Sequence, residues 1–193
     1  MLQTLTHNYY SIIDPPNVEE LLDAVENANL MDEQEFTWTD DCLIEVERLN
    51  LNDNFFNLIR PSLSIFFDEL NIDPTNLGVH CHEVWRNTYK KNFFQEIHDH
   101  TPMTLSGVLF LTDQDQDDGG MFFFYNEGFK EVPSELRELN FSGCREYIFS
   151  KRGRVLLFPS YMLHGVTRYK SDIPRKTVSF NIILRPNIQD TEE

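Results

Sequence analysis

Histidines are the residues of this 193-residue chain best suited to metal chemistry, and two of them form the sequence His98-Asp99-His100. In a β-strand, residues i and i+2 point to the same face, so His98 and His100 can bind one ion while Asp99 faces away. A third ligand must come from elsewhere in the fold. The natural candidate is His164, which follows the apolar run RVLLFPS in the turn YMLHGV. Three neutral imidazoles suit Fe(II), Zn(II) and related ions and leave coordination positions open for substrate and oxygen.

A second pair of histidines has the same spacing in the sequence His80-Cys81-His82. These three side chains could form another metal site, but no obvious third histidine or carboxylate accompanies them. We therefore expect His80 and His82 to be surface-facing residues of a strand.

Short β-rich segments must position these histidines, because the pattern changes from residue 76 onward. Clusters of Gly, Asp and Pro, such as DQDQDDGG and YKSDIPR, separate these segments. The predicted strands cover 77–89, 92–99, 104–112, 120–126, 145–150, 154–158, 164–170 and 176–185. About eight short strands with turn residues between them predict a double-sheet jelly roll (a double-stranded β-helix) or a barrel.

The N-terminal part differs in its periodicity. Residues 1–13 alternate enough for a strand, and Pro15-Pro16-Asn17 then predicts the start of a helix over about 18–29. A second helix is predicted over about 53–70, with Pro61 causing a kink or a break. We expect both helices to pack on one outer face of the sheets.

The expected fold class is therefore mainly β with flanking helices. The whole chain, 1–193, is predicted to form one domain, with a helical N-terminal flank (1–75), a jelly-roll core (76–186) and an acidic tail (187–193).

The amino-acid composition bears on which partners the protein binds and in which cellular compartment it works. A formal net charge of -16 disfavours nucleic acid, because an acidic surface repels phosphate. No apolar run approaches the length of a membrane span, and the N-terminus has no secretory signal pattern. The three cysteines are far apart and form no disulfide framework, which favours a reducing cytoplasm. The sequence does not predict the oligomeric state.

The segment from about 77 to 184 resembles a known enzyme superfamily, the 2-oxoglutarate- and Fe(II)-dependent dioxygenases. It is most similar to their small prolyl-hydroxylase-like bacterial and phage members. The matching motifs occur in the family's order: EVWRNTY (83–89), QEIHDH (95–100), LSGVLFL (105–111), GGMFFF (119–124), GRVLLFPS (153–160), His164 and RKTVSFN (175–181).

The resemblance implies a ligand set for the metal. His98 occupies the first histidine position of the family and His164 the second. His100 occupies the position where the family usually has Asp or Glu, which is a departure from its pattern. The working interpretation is a three-histidine site, and Asp99 could replace His100 only if the strand twists or bulges.

The resemblance also implies a cofactor pocket. Arg175, eleven residues after His164, matches the family arginine that binds the distal carboxylate of 2-oxoglutarate. A guanidinium offers two parallel donors to a carboxylate, and Thr177 on the same strand face can add a hydroxyl. Asn181 could reach the other end of the cofactor, near the metal, and Tyr89 is a candidate for the pocket wall.

The activity implied is that of an Fe(II) enzyme that converts 2-oxoglutarate to succinate and carbon dioxide while it hydroxylates a C–H bond. The substrate would be a peptidyl side chain, such as a prolyl group, or a small molecule. Two alternatives stay open: a cupin-like three-histidine metalloenzyme that does not use 2-oxoglutarate, and a catalytically silent jelly-roll binding module.

Overall fold

The computed structural model describes residues 8–31, 44–125 and 145–186. Within these ranges the helices are α1 (Val18–Glu26) and α2 (Asn52–Glu69). The strands are β1 (Ser11–Ile13), β2 (Asn29–Leu30), β3 (Glu45–Asn50), β4 (Leu77–Tyr89), β5 (Gln95–His98), β6 (Leu105–Phe110), β7 (Phe122–Tyr125), β8 (Arg145–Ile148), β9 (Val155–Pro159), β10 (His164–Val166) and β11 (Arg175–Pro186). Short 3-10 turns cover Pro74–Asn76 and Gln116–Asp118.

The strands form two antiparallel sheets. The larger has the order β1-β9-β6-β11-β4-β3-β2, and the smaller has the order β5-β10-β7-β8. The eight strands predicted after residue 76 thus divide four and four between the sheets, as in a double-stranded β-helix. The predicted fold class, mainly β with flanking helices on a jelly roll, is confirmed.

Both helices pack on the outer face of the larger sheet. The rings of Phe55 on α2 and Phe180 on β11 meet edge to face with centroids 5.2 Å apart. On the same face, an added Cβ on Gly107 would lie 2.1 Å from the Phe180 ring, so only glycine fits there. A second core, rich in phenylalanine, fills the space between the sheets. The central strands are therefore buried on both faces, which explains their continuous apolar character.

Several boundaries differ from the sequence expectation. The N-terminal strand covers only Ser11–Ile13 of the described residues, and α1 ends at Glu26, before the short strand β2. Helix α2 continues through Pro61 without a break. Strand β3 was not predicted, because its sequence EVERLN is rich in charged residues with low β propensity. It forms by pairing with the second half of β4.

The division into one domain with a helical flank stays a prediction, although the flank also supplies three strands to the larger sheet. The predicted acidic tail, 187–193, lies outside the described residues, as do His7, Cys42 and Cys144. No helix in the described part of the chain is long and apolar enough to cross a membrane.

Candidate metal centre and cofactor pocket

Three histidines meet where the smaller sheet faces the larger one. His98, the last residue of β5, is the cross-strand partner of His164, the first residue of β10. His100 lies two residues beyond β5, where its backbone N–H donates to Ser160 O at 2.9 Å. The potential ligand atoms of the three imidazoles all lie within 4.8 Å of one another. Among the described residues, they are the one group of three His, Cys, Asp or Glu side chains placed to hold a metal ion.

A hydrogen bond orients each imidazole through its Nδ1 atom. The partners are Glu96 O for His98 (2.7 Å), Met162 O for His164 (2.8 Å) and Asn181 Oδ1 for His100 (2.7 Å). Because backbone carbonyl and side-chain amide oxygens can only accept hydrogen bonds, each Nδ1 carries the proton and each Nε2 keeps its lone pair. Metal-binding histidines in proteins show this arrangement, so the three residues fit a divalent cation.

Burial also keeps these imidazoles neutral. Loss of solvation lowers the pKa of His98 to about 4. The same cause lowers the pKa of His100, and it lowers that of His164 well below its ordinary value. A cation that binds at neutral pH would therefore displace no protons from these rings.

Asp99 points away from the three histidines. Its carboxylate is exposed and accepts hydrogen bonds from the backbone N–H and the hydroxyl of Thr101, at 2.9 and 2.6 Å. These bonds, led by the one from the hydroxyl, lower the pKa of Asp99. The geometry thus brings His100, and not Asp99, to the other two imidazoles.

Arg175, the first residue of β11, is a buried cation with a 2% exposed surface. Its guanidinium lies 5.0 Å from the ring centroid of Tyr89, and Nη2 donates to Ser150 Oγ at 3.3 Å. The Nε and Nη1 atoms have no hydrogen-bond partner among the described residues. Burial lowers the pKa of Arg175, but a guanidinium stays charged in proteins. A buried charge with two free donors fits an anionic ligand such as a carboxylate.

Thr177 lies on the same strand face as Arg175. Its Oγ1 accepts a hydrogen bond from Asn87 Nδ2 at 3.3 Å, and the same amide group donates to Ser179 Oγ at 2.8 Å. Because Asn87 supplies the donor, the hydroxyl hydrogen of Thr177 is available for a ligand. Asn87 was not predicted as a site residue from the sequence. Its position two residues before Tyr89, on the same face of a buried strand, could have indicated that this polar side chain faces the cavity.

The cavity between the sheets connects these two groups of residues. His98, His100 and His164 line it together with Arg175 and Thr177. Its walls also include Tyr89, Phe122, Phe158 and Val166. The structure thus brings six of the seven predicted site residues to one cavity.

The seventh predicted residue, Asn181, lies beside His100 and lines an adjoining groove with a volume of about 730 Å³. Its Oδ1 accepts hydrogen bonds from His100 Nδ1 at 2.7 Å and from Ser106 Oγ at 2.9 Å. Its contact with a cofactor stays a prediction. The exposed His80 and His82 also line this groove, away from the three-histidine group.

Gln95 was also missed by the sequence reasoning, and it lines both the cavity and the groove. The hydroxyl of Tyr89 donates to Gln95 Oε1 at 2.8 Å. The amide nitrogen of Gln95 lies 3.4 Å from His98 Nε2. Gln95 therefore connects Tyr89, in the wall of the cavity, with His98.

Comparisons with known proteins agree with this geometry. Solved structures with the same fold include a 2OG-Fe(II) oxygenase family oxidoreductase of Burkholderia pseudomallei, with 12% identity, a TM-score of 0.62, and 90% of this chain and 84% of that one covered. HygX of Streptomyces hygroscopicus, crystallised with nickel, 2-oxoglutarate and hygromycin B, is 13% identical to this chain with a TM-score of 0.59. The alignment covers 94% of this chain and 84% of HygX. A prolyl hydroxylase of Trichoplax adhaerens, in complex with a peptide fragment of hypoxia inducible factor, is 15% identical with a TM-score of 0.58. The alignment covers 90% of this chain and 83% of the hydroxylase.

A search of curated proteins found no match. The sequence profile of a 2OG-Fe(II) oxygenase family, in contrast, matches residues 83–181, just over half of the 193-residue chain. This segment contains the three histidines and all four predicted cofactor residues. The resemblance inferred from the sequence motifs is confirmed, and the chain belongs to the 2OG-Fe(II) oxygenase family.

Proposed function

We propose that His98, His100 and His164 bind Fe(II) and that Arg175 and Thr177 hold 2-oxoglutarate in a dioxygenase that hydroxylates a C–H bond. One observation carries this proposal: a buried guanidinium with two free donors shares a cavity with three convergent imidazoles. An arginine so placed has no structural ion pair among the described residues.

Hydrogen bonds within the protein hold the three proposed metal ligands in position. The three Nδ1–H hydrogen bonds fix the imidazole rings, so the Nε2 lone pairs converge before any metal arrives. When bound, Fe(II) supplies oxygen activation coupled to the oxidative decarboxylation of 2-oxoglutarate to succinate and carbon dioxide. The phenylalanine-rich core around His164 keeps bulk water from this centre.

The cofactor end of the cavity recognises a carboxylate. Arg175 offers N–H donors on Nε and Nη1 that have no partner among the described residues, and charge-assisted hydrogen bonds to a carboxylate would satisfy them. The hydroxyl of Thr177 adds a third donor, because Asn87 already supplies the hydrogen bond to its oxygen. The ring of Tyr89 lies against the guanidinium and keeps it in place.

We propose that the substrate binds in the groove beside His100. Its volume of about 730 Å³ is within the usual range for pockets that take small molecules. HygX was solved with hygromycin B bound and the Trichoplax enzyme in complex with a peptide, so proteins of this fold bind ligands of both classes. A peptidyl side chain, such as a prolyl group, or a small molecule would therefore suit this chain.

A cupin-like metalloenzyme without 2-oxoglutarate is a second candidate, and the three-histidine ligand set is the observation that favours it. It leaves Arg175 as a buried cation with no anion, which is costly. The 2-oxoglutarate-dependent reaction gives this arginine a partner and is therefore preferred.

We also propose a cytoplasmic location. The cysteines are widely spaced, and Cys81 is a free thiol. Burial raises the pKa of Cys81 to about 11, so the thiol is protonated at neutral pH. The net charge of -16 further disfavours nucleic acid as a partner.

Succinate formation provides the direct test. Purified protein with Fe(II), ascorbate and oxygen should convert 2-oxoglutarate to succinate slowly without substrate and faster with an accepted peptide or small molecule. His164→Ala should abolish both, and Arg152→Ala, at an exposed position outside the cavity and the groove, is the control. No succinate under any condition, with no calorimetric binding of 2-oxoglutarate to Mn(II)-loaded protein, would reject the proposed function.

A further inference from the structure

His100 differs from the other two histidines in how its ring is held. The Nδ1 atoms of His98 and His164 donate to backbone carbonyls two residues earlier in the chain. The Nδ1 atom of His100 donates instead to a side chain, Asn181 Oδ1, at 2.7 Å and 81 residues away in the sequence. The position at which this chain departs from the family pattern therefore has its own side-chain partner.

Two buried hydroxyls support the Asn181 amide. Ser106 Oγ donates to Asn181 Oδ1 at 2.9 Å. Ser160 Oγ lies 2.8 Å from Ser106 Oγ, and it donates this bond because the hydrogen of Ser106 is already used. These residues are at most 5% exposed, so water does not compete for the amide. In this arrangement Oδ1, and not Nδ2, faces His100.

The amide orientation decides which nitrogen of His100 can bind a metal. An acceptor opposite Nδ1 keeps the proton there and leaves the lone pair on Nε2, toward His98 and His164. A donor opposite Nδ1 would move the proton to Nε2 and remove the third ligand. The same contact fixes the plane of the ring, which the short segment beyond β5 does not fix by strand pairing.

We propose that Asn181 is a positioning residue that converts His100 into a metal ligand, with Ser106 and Ser160 as its support. The inference rests on the proposed three-histidine centre. It predicts that metal affinity depends on an oxygen acceptor at position 181 and not on the amide as such. Outer partners of metal-bound histidines typically contribute about 10- to 100-fold to metal affinity.

Binding of Co(II) to the metal-free protein tests this, with affinity measured by competition against a chelator and the visible Co(II) spectrum as a second readout. Asn181→Leu should weaken binding about 10- to 100-fold and change the spectrum. Asn181→Asp keeps an acceptor for Nδ1 and should bind Co(II) at least as tightly as the unmodified protein. Thr88→Val is the control, because Thr88 is a buried polar residue of the same sheet, on β4, that lies on the sheet face opposite Asn181. Its Co(II) affinity should be unchanged.

Three outcomes would overturn the inference. The first is a Co(II) affinity of Asn181→Leu within about twofold of the unmodified protein while His100→Ala loses binding; the proposed function would then survive without the inference. The second is an equal loss in Asn181→Leu and Thr88→Val, which would reflect general damage to the sheet. The third is tight Co(II) binding by His100→Ala, which would reject the three-histidine centre itself.

A milder variant covers the case in which Asn181→Leu does not fold. Ser106→Ala removes one support of the amide and leaves the acceptor in place. One lost hydrogen bond should weaken Co(II) binding about fivefold. An unchanged affinity in Ser106→Ala, together with a clear loss of affinity in Asn181→Asp, would also contradict the proposal.

Discussion

Arg175 and Tyr89 are direct cross-strand partners on β11 and β4, and the guanidinium of the first lies 5.0 Å from the ring centroid of the second. The hydroxyl of Tyr89 then reaches Gln95, whose amide lies against His98. A chain of contacts thus joins the buried arginine to the three-histidine group across the two sheets.

Replacement of Arg175 by Met should weaken the binding of 2-oxoglutarate without lowering the stability of the folded protein. Loss of the guanidinium removes the charge-assisted hydrogen bonds to the distal carboxylate, which contribute about 2–3 kcal/mol, or about 30- to 150-fold in affinity. Calorimetric titration of 2-oxoglutarate into Mn(II)-loaded protein measures this. The free energy of unfolding without cofactor should be unchanged or higher, because a buried unpaired charge is removed.

Arg154→Met, which removes an exposed ion pair with Asp14, is the control for loss of an arginine. Equal affinity of Arg175→Met and the unmodified protein for 2-oxoglutarate would mean that Arg175 holds no cofactor.

Asp99 and His100 should respond differently to substitution. Asp99→Ala removes an exposed carboxylate bonded only within its own turn, so Mn(II) or Co(II) affinity should change by less than about threefold. His100→Ala removes one of three ligands and should weaken binding by at least about 100-fold. Metal content after gel filtration, with chelator competition, measures both. Greater loss in Asp99→Ala than in His100→Ala would assign the carboxylate as the ligand.

Thr177→Val should weaken 2-oxoglutarate binding about tenfold, the effect of one hydrogen bond to a charged group of about 1.5 kcal/mol. Valine keeps the shape of threonine, so metal binding should not change. The matched control is Thr88→Val, at a buried threonine on the neighbouring strand and the opposite sheet face. Calorimetry with Mn(II)-loaded protein compares the two, and a larger loss in Thr88→Val would argue against a cofactor contact at Thr177.

The stability of the metal-free protein should depend on His98 at mildly acidic pH. Burial lowers the pKa of His98 to about 4 in the folded protein, against about 6.5 when unfolded. The unfolded chain therefore takes up a proton that the folded chain does not, and stability is lost as pH falls from about 6.5 to about 4. The loss should be about 1–2 kcal/mol, because the ring keeps partial contact with solvent.

Urea unfolding at pH 7.5, 6 and 5 checks this in the unmodified protein and in His98→Gln, with His82→Gln as the exposed control. The stabilities of the unmodified protein and His98→Gln should converge as the pH falls. A constant difference between them across this range would contradict the prediction.

Local patterns in the sequence determined much of the candidate site. Strand alternation and turn residues located seven of the eight jelly-roll strands to within three residues at each end, and the order of motifs identified the two histidine segments. The fixed two-residue period of a strand placed Arg175 and Thr177 on one face. The strand predicted over 164–170 was too long, since β10 ends at Val166.

Only the tertiary structure decided what these side chains contact. The bonds from His100 to Asn181 and from Asn87 to Thr177 span 81 and 90 residues, and no local period specifies which residue stands opposite another at that distance. Register between strands depends on the packing of both sheet faces and on the bulge after Asn181. For the same reason, the sequence left both Asp99 and His100 as possible ligands. In the structure, β5 ends at His98 and a turn at Thr101 follows. This backbone path directs Asp99 to solvent and His100 to the other two imidazoles.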